Sequence, residues 1–290
     1  MPRKAAVYTY QAESGQRIRL AADSDFWITN LSGDDGLDIT LTEQQSTGQI
    51  GKSLIGQSVG ARTITVTGAI VRDLVASEAL LRKIIRPMEA GRWIKTVGGE
   101  NWYLDVVPQH TPDISGGPNV LNYQFKLRAF YPYWRTVGTD KTMLGGIEAT
   151  WFPTPVSTAG SFAISRYKQG LYTPVINSGN METAFVLDLR AAARCRNPML
   201  WHNGRRSYIK LCREMLPGER AVISTQDGER GCTYYAADGT AQNGFYLLDM
   251  NSDLWMCLDP GENVLRLTAD EGRENLTAII AAPKGVASNV

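Results

Sequence analysis

Apolar residues recur at helical spacing in one convincing place in this chain, "SEALLRKIIRPMEAGRW" (residues 77–93); elsewhere the periodic stretches alternate. That asymmetry points to a mainly β fold with one helix, because side chains repeat about every 3.6 residues on a helix and every two on a strand. In the helical stretch Leu80, Leu81, Ile84, Ile85 and Met88 form the stripe. Ser77 stands as its cap, Glu78 lies near the positive end, and Pro87 and Gly91 close it. Such a stripe is a core face packed on the preceding strands and not a cofactor box. In "ARTITVTGAIV", Ile64, Val66 and Ile70 share one face, with Thr63, Thr65 and Thr67 opposite. "NWYLDVVPQ" alternates Trp102, Leu104 and Val106 with Tyr103, Asp105 and Val107. "VLNYQFKLRAFY" does the same with Leu121, Tyr123, Phe125, Leu127 and Ala129, a half-exposed strand. Between these two, "PQHTPDISGGPN" has the composition of a turn-rich loop, which places His110 in solvent.

A chain of 290 residues suggests two domains. "TVGTDKTMLGGIEATWFPTPVSTAG" (136–160) has the Gly, Pro and Thr content of a linker, so the boundary falls near residue 140, giving domains 1–140 and 141–290. The second half reads as the short strands "AFVLDLR", "SYIKLC", "RAVIST", "LWMCL", "NVLRLTA" and "LTAIIAA". Turns at Pro217-Gly218 and Pro260-Gly261 punctuate them, the rhythm of an antiparallel sandwich. Leu254, Met256 and Leu258 share one face.

Several functions are disfavoured. With 30 Lys and Arg against 29 Asp and Glu, no global field draws the chain to nucleic acid or an anionic membrane. No apolar run is long enough to span a bilayer, and "MPRKAAVYTYQAESGQ" has basic residues without an apolar core behind them; the chain reads as soluble and made in the cytoplasm. The cysteines Cys195, Cys212, Cys232 and Cys257 include no CxxC pair, so buried free thiols are expected in place of zinc ligands or disulfides. "GQIGKSLIGQS" (48–58) carries Gly51, Lys52 and Ser53 in phosphate-loop order, but Ser46 occupies the position of the first glycine and a strand follows where a helix is required. "DMNSD" imitates a calcium loop through Asp249, Asn251 and Asp253, yet Leu254 replaces the turn glycine and Pro260 the bidentate glutamate. Asp34 and Asp35 in "SGDDG" read as a solvated turn. No nucleophile with a base, carboxylate pair or metal cluster stands out. No enzyme activity, catalytic residue, cofactor or metal is expected.

The order of the pieces is more specific than any one of them. "GKSLIGQSVGARTITVTGAI", "ALLRKIIRPMEAGRW", "FYPYWR", "INSGNMETAFVLDL", "NPMLWHNGRRSYIKL", "LPGERAVISTQDG" and "LDPGENVLRL" follow one another from about residue 48 to residue 281. In this the chain resembles the distal tail proteins, or baseplate hubs, of long-tailed non-contractile bacteriophages. The resemblance implies an N-terminal β-barrel-like domain with one helix that closes into a ring, commonly a hexamer, and an outward galectin-like β-sandwich. It also implies a structural virion component at the tail tip, joining the tail tube protein to tail fibre or tip and receptor-binding proteins. DNA would pass through the channel without specific binding, and no membrane partner is implied. On this reading Lys52 is a loop lysine.

A carbohydrate-binding sandwich without enzymatic activity is the alternative. "WHNGRR" offers Trp201, His202, Asn203 and Arg205, and Trp151, Trp201 or Trp255 would supply stacking faces. The residue order differs from that of a galectin sugar site, and Asn203-Gly204 reads as a tight hairpin connection.

Overall fold

The structure, a computed structural model, describes residues 6–145, 147–149, 165–167 and 172–287. The chain divides into two compact units, residues 1–138 with 285–290, and residues 139–284.

The first unit is a closed barrel. Its strands are β1 (Val7–Ala12), β2 (Arg17–Leu20), β3 (Phe26–Ser32), β4 (Ile39–Gln44), β5 (Ser53–Val59), β6 (Arg62–Ile70), β7 (Gly91–Val97), β8 (Glu100–Gly116), β9 (Leu121–Ala129) and β10 (Trp134–Gly145). Seven of them run in the order β8-β7-β1-β2-β3-β6-β9, and β9 returns to β8 to close the ring of strands. Closure is possible because β8 is 17 residues long: Glu100–Val106 pairs with β7 and Val107–Gly116 with β9. The alternation expected in β6 and β9 is present, with Ile64, Val66, Tyr123, Phe125, Leu127 and Ala129 all inside. Around Trp93 and Phe125 these side chains form one apolar core, which also takes in Leu81 and Ile84 of the helix α1 (Leu74–Ile84).

Four local expectations change here. The helix begins at Leu74 behind Asp73, and Ser77 lies within it, its hydroxyl donating to the Arg72 carbonyl at 3.1 Å. Leu80 and Met88 are exposed, so the buried stripe narrows to Leu81, Ile84 and Ile85. Residues 108–116 are strand and not loop: β8 keeps its pairing with β9 through register shifts at Pro108/His110 and His110/Asp113. Bulges absorb prolines, which have no N–H to give the ladder. Within the expected linker, 136–145 belongs to β10; residues 150–160 lie outside the described residues.

In the second unit the two larger antiparallel sheets pack over one core. One has the strand order Ala241–Asn243, Gly231–Tyr235, Arg220–Ser224, Val186–Ala191, Leu276–Val286; the other runs Thr173–Asn177, Gly261–Thr268, Met199–His202, Ser207–Lys210. Leu187, Leu189 and Ile223 from the first meet Leu200, Ile209 and Leu265 from the second in a common apolar cluster. "LWMCL" is turn and not strand, yet Leu254, Met256 and Leu258 are buried as their shared face requires.

Candidate assembly surface

The insertion between β3 and β6 carries the feature most in need of a partner. β4 and β5 pair only with each other, as an antiparallel ribbon. The register puts Ile39 opposite Val59, Leu41 opposite Gln57 and Glu43 opposite Leu54 on one face. Thr40 with Ser58, Thr42 with Gly56 and Gln44 with Ser53 fall on the other, and Ile55 is bulged out where the register shifts. One face therefore carries Ile39, Leu41, Leu54 and Val59 beside Gln57 and Glu43, and the other is hydroxyl-rich, a pattern that favours burying the first side. Neither side is buried: Ile39 is 60 % exposed, Leu41 53 %, Leu54 59 % and Ile55 60 %. A free two-stranded ribbon is marginal in water, and an apolar face held in solvent marks an interaction site.

At the ribbon's tip Gly48 and Gly51 adopt φ near +80°, which a side chain would strain. Lys52 pairs with Glu43 at 2.7 Å across the strands. The phosphate-loop order of Gly51, Lys52 and Ser53 thus marks a hairpin return into a strand, with the lysine already engaged.

Beside the ribbon's base, Asp34 corrects the reading of "SGDDG" as a solvated turn. Asp35 is exposed, but Asp34 is buried and accepts from Lys95 Nζ at 2.7 Å and from the Tyr8 hydroxyl at 2.9 Å. Arg62 is buried with it and donates to the carbonyls of Gly33, Asp34, Pro132 and Ala287 at 2.7–2.9 Å. Burial lowers the Arg62 pKa, while Asp34 and Asp35 oppose that shift. Gly33 is required for this turn: its φ is +82°, and a Cβ there would lie 1.9 Å from the Thr63 carbonyl oxygen. Sequence gave no signal for the network, because its partners are separated by as many as 225 positions.

The remaining singled-out residues are spread over the two units and do not converge. His110 is exposed on β8, its Nδ1 next to the Thr111 carbonyl. His202 is buried: its Nε2 faces Asn263 Oδ1 at 3.1 Å, and its Nδ1 accepts the Arg205 backbone N–H at 3.2 Å. Burial pushes its pKa below the ordinary value, because desolvation penalises the charged imidazolium, and the hydrogen bond to Asn263 opposes that shift. Arg205 is held by Asp259 and Glu182, and Trp201 stacks on Tyr208 with ring centroids 6.0 Å apart. In "WHNGRR", Trp201, His202 and Arg205 are thus each engaged by a residue from elsewhere in the unit. Trp255 is exposed, and Trp151 lies outside the described residues.

All four cysteines are free, but only Cys195 and Cys232 are buried, where desolvation pushes both thiols up to about 11; Cys212 is exposed. Asp249 accepts from the Asn251 N–H and the Tyr208 hydroxyl. Among the described residues no group of three or more His, Cys, Asp or Glu could hold a metal, and no helix is long and apolar enough to cross a membrane.

No family model and no curated protein matches the chain. Solved structures do. The fold is similar to that of SPP1 Dit, described as a paradigm of the hub adsorption apparatus in phages infecting Gram-positive hosts, with TM-score 0.64, 13 % identity, and coverage of 94 % of this chain and 98 % of that one. Chains of the phage p2 baseplate in its activated conformation also match. The form with Sr gives TM-score 0.56 at 12 % identity and the form with Ca 0.54 at 11 %, each covering 96 % of this chain and 98 % of the other. Over nearly its whole length the chain therefore has the fold of siphophage tail hub and baseplate proteins. At these identities the likeness is one of fold.

Proposed function

We propose that this protein is a structural subunit of a phage tail hub, a virion component at the tail tip that assembles into a ring, with six copies the number the resemblance implies. In this reading residues 1–140 make the ring, residues 141–290 project from it as a galectin-like sandwich, and the assembly joins the tail tube to the baseplate or tip proteins. DNA passes through without specific binding. The observation that carries the reading is the β4–β5 ribbon, whose apolar face its own chain leaves in water. A second copy is the occupant it fits: each subunit offers the same ribbon, and a head-to-tail contact that repeats around an axis covers every ribbon once and leaves none over. The fold likeness to hub proteins supports the same conclusion.

Sedimentation velocity on the full chain tests it. The unaltered protein is expected to sediment as a closed oligomer. Leu41→Ser combined with Ile55→Ser is expected to give folded single subunits, since it removes apolar area at two points of the ribbon. Trp255→Ser in the second unit is expected to leave the oligomer intact. An oligomer that survives the ribbon substitutions and dissociates with Trp255→Ser would reverse the assignment of roles.

A further inference from the structure

The second unit carries a polar cleft that the hub reading does not use. Along Arg220–Ser224 and Gly231–Tyr235, Ala221, Ile223, Cys232 and Tyr234 face the core, which turns Val222, Ser224 and Thr233 to the opposite face. The register places Thr233 between Val222 and Asn243 in adjacent strands. There a cavity of about 390 Å³ opens, lined among others by Ser224, Glu229, Arg230, Thr233, Asn243 and Phe245. That is toward the small end of ligand sites, about 300–1,000 Å³.

Its walls are fixed before any ligand arrives. The Gly244 N–H donates to the Cys232 carbonyl at 2.8 Å, and a Cβ on Gly244 would meet Cys232 Sγ at 2.8 Å, so the chain turns flush against the strand. Asn243 Oδ1 then accepts the Phe245 N–H at 2.9 Å, while Leu247, two residues on, is buried and anchors the turn. Phe245 is thereby held with its ring in solvent beside the cleft. The hydrogen-bonding groups remain available. Ser224 Oγ accepts from the Gln226 N–H and keeps its own proton to donate, and the Asn243 Nδ2 and Glu229 carboxylate have no partner among the described residues. Charge is matched in place, because Arg230 pairs with Asp227 and lies 5.1 Å over the exposed Trp255 ring.

We propose that this cleft binds one neutral sugar ring of a glycan. A pyranose has an apolar C–H face, which suits the exposed Phe245 ring, and a rim of hydroxyls that both donate and accept, which suits Asn243, Ser224 and Glu229 together. A phosphate or nucleotide fits poorly, since the cleft's cation is already engaged and its free charged group is a carboxylate. "WHNGRR" takes no part, because none of its residues lines the cleft and Trp201, His202 and Arg205 are engaged by Tyr208, Asn263, Asp259 and Glu182. The inference does not depend on the ring, and oligomer mass is read on the same samples, so one can fail without the other.

The test uses the full-length protein on a glycan array ending in glucose, galactose, N-acetylglucosamine, N-acetylmannosamine and rhamnose, followed by calorimetry with the retained glycan. Phe245→Ala and Asn243→Ala are each expected to weaken binding by about tenfold, the scale of one lost stacking or hydrogen-bonding contact, with oligomer mass unchanged in both and melting temperature unchanged in Phe245→Ala. No retained glycan, or a glycan held equally by both variants, overturns the assignment. So does a protein that retains no glycan and whose Phe245→Ala form loses its grip on a purified tail protein, which would make the cleft a protein interface.

Discussion

Two antiparallel ribbons of the chain, each with aliphatic residues gathered on one face, meet opposite fates. In the first unit β4–β5 puts Ile39, Leu41, Leu54 and Val59 on one face, all exposed. In the second, Met199–His202 and Ser207–Lys210 set Leu200 against Ile209, both fully buried. The difference lies in neighbours. The second ribbon is joined along its open edge by Gly261–Thr268, and its inner face meets the opposing sheet; among the described residues the first has no third strand and no facing layer. Alternation tells which residues share a face, and only the surroundings tell whether that face is covered. An uncovered face is where a second molecule has something to gain.

The comparison extends to the ion pairs and can be broken in three ways. The largest effect is expected at Lys95–Asp34, whose side chains are nearly sealed from water, against Lys52–Glu43, which is open to it. Asp34→Ala leaves the lysine charge buried without its partner and is expected to cost about 3–5 kcal/mol, whereas Lys52→Ala is expected to cost at most about 1 kcal/mol. Chemical denaturation followed by tryptophan fluorescence measures both, and equal losses would mean the Asp34 site is open to solvent. Next come the ribbon cores. Ile209→Ala is expected to cost the second unit about 2–5 kcal/mol, against about 0.5 kcal/mol or less for Leu41→Ala measured on dissociated subunits. A comparable loss at Leu41 would show that its own chain covers the ribbon after all.

The smallest effect is a pH dependence confined to the second ribbon. His202 has its folded pKa below the unfolded value of 6.5, so the unfolded chain takes up the proton first. The stability of the neutral form is complete above about pH 6.5 and declines as pH falls from there toward the folded pKa. Asp259 nearby opposes the shift and Arg205 adds to it. Melting of the unaltered protein between pH 7.5 and 5 should fall more steeply than that of His202→Gln, while the Leu41→Ser, Ile55→Ser double variant should keep the steep profile. A profile unchanged by His202→Gln would locate the acid sensitivity elsewhere.

Alternation in β6 and β9 was legible because those strands are half-buried and every second residue must be apolar. The helix was legible through Leu81 and Ile84, while its true start at Asp73 was not, because "VRDLVAS" offers no apolar stripe that points there. Prolines hid the far half of β8, since composition cannot show that bulges will carry them. The ribbon was not read from "DITLTEQ" and "SLIGQSV", and nothing in those residues says that no layer lies above them.

The periodicities were written in the sequence, and with them a mainly β chain with one helix, because these depend on residues a few positions apart; the order of the pieces along the chain carried the resemblance to tail hub proteins. Tertiary structure alone decided that β8 closes a barrel against β9, that Asp34 is buried under Arg62 and Lys95, and that one ribbon is covered and the other bare. Each of those depends on which distant segments exclude water from a side chain, and no local pattern records that.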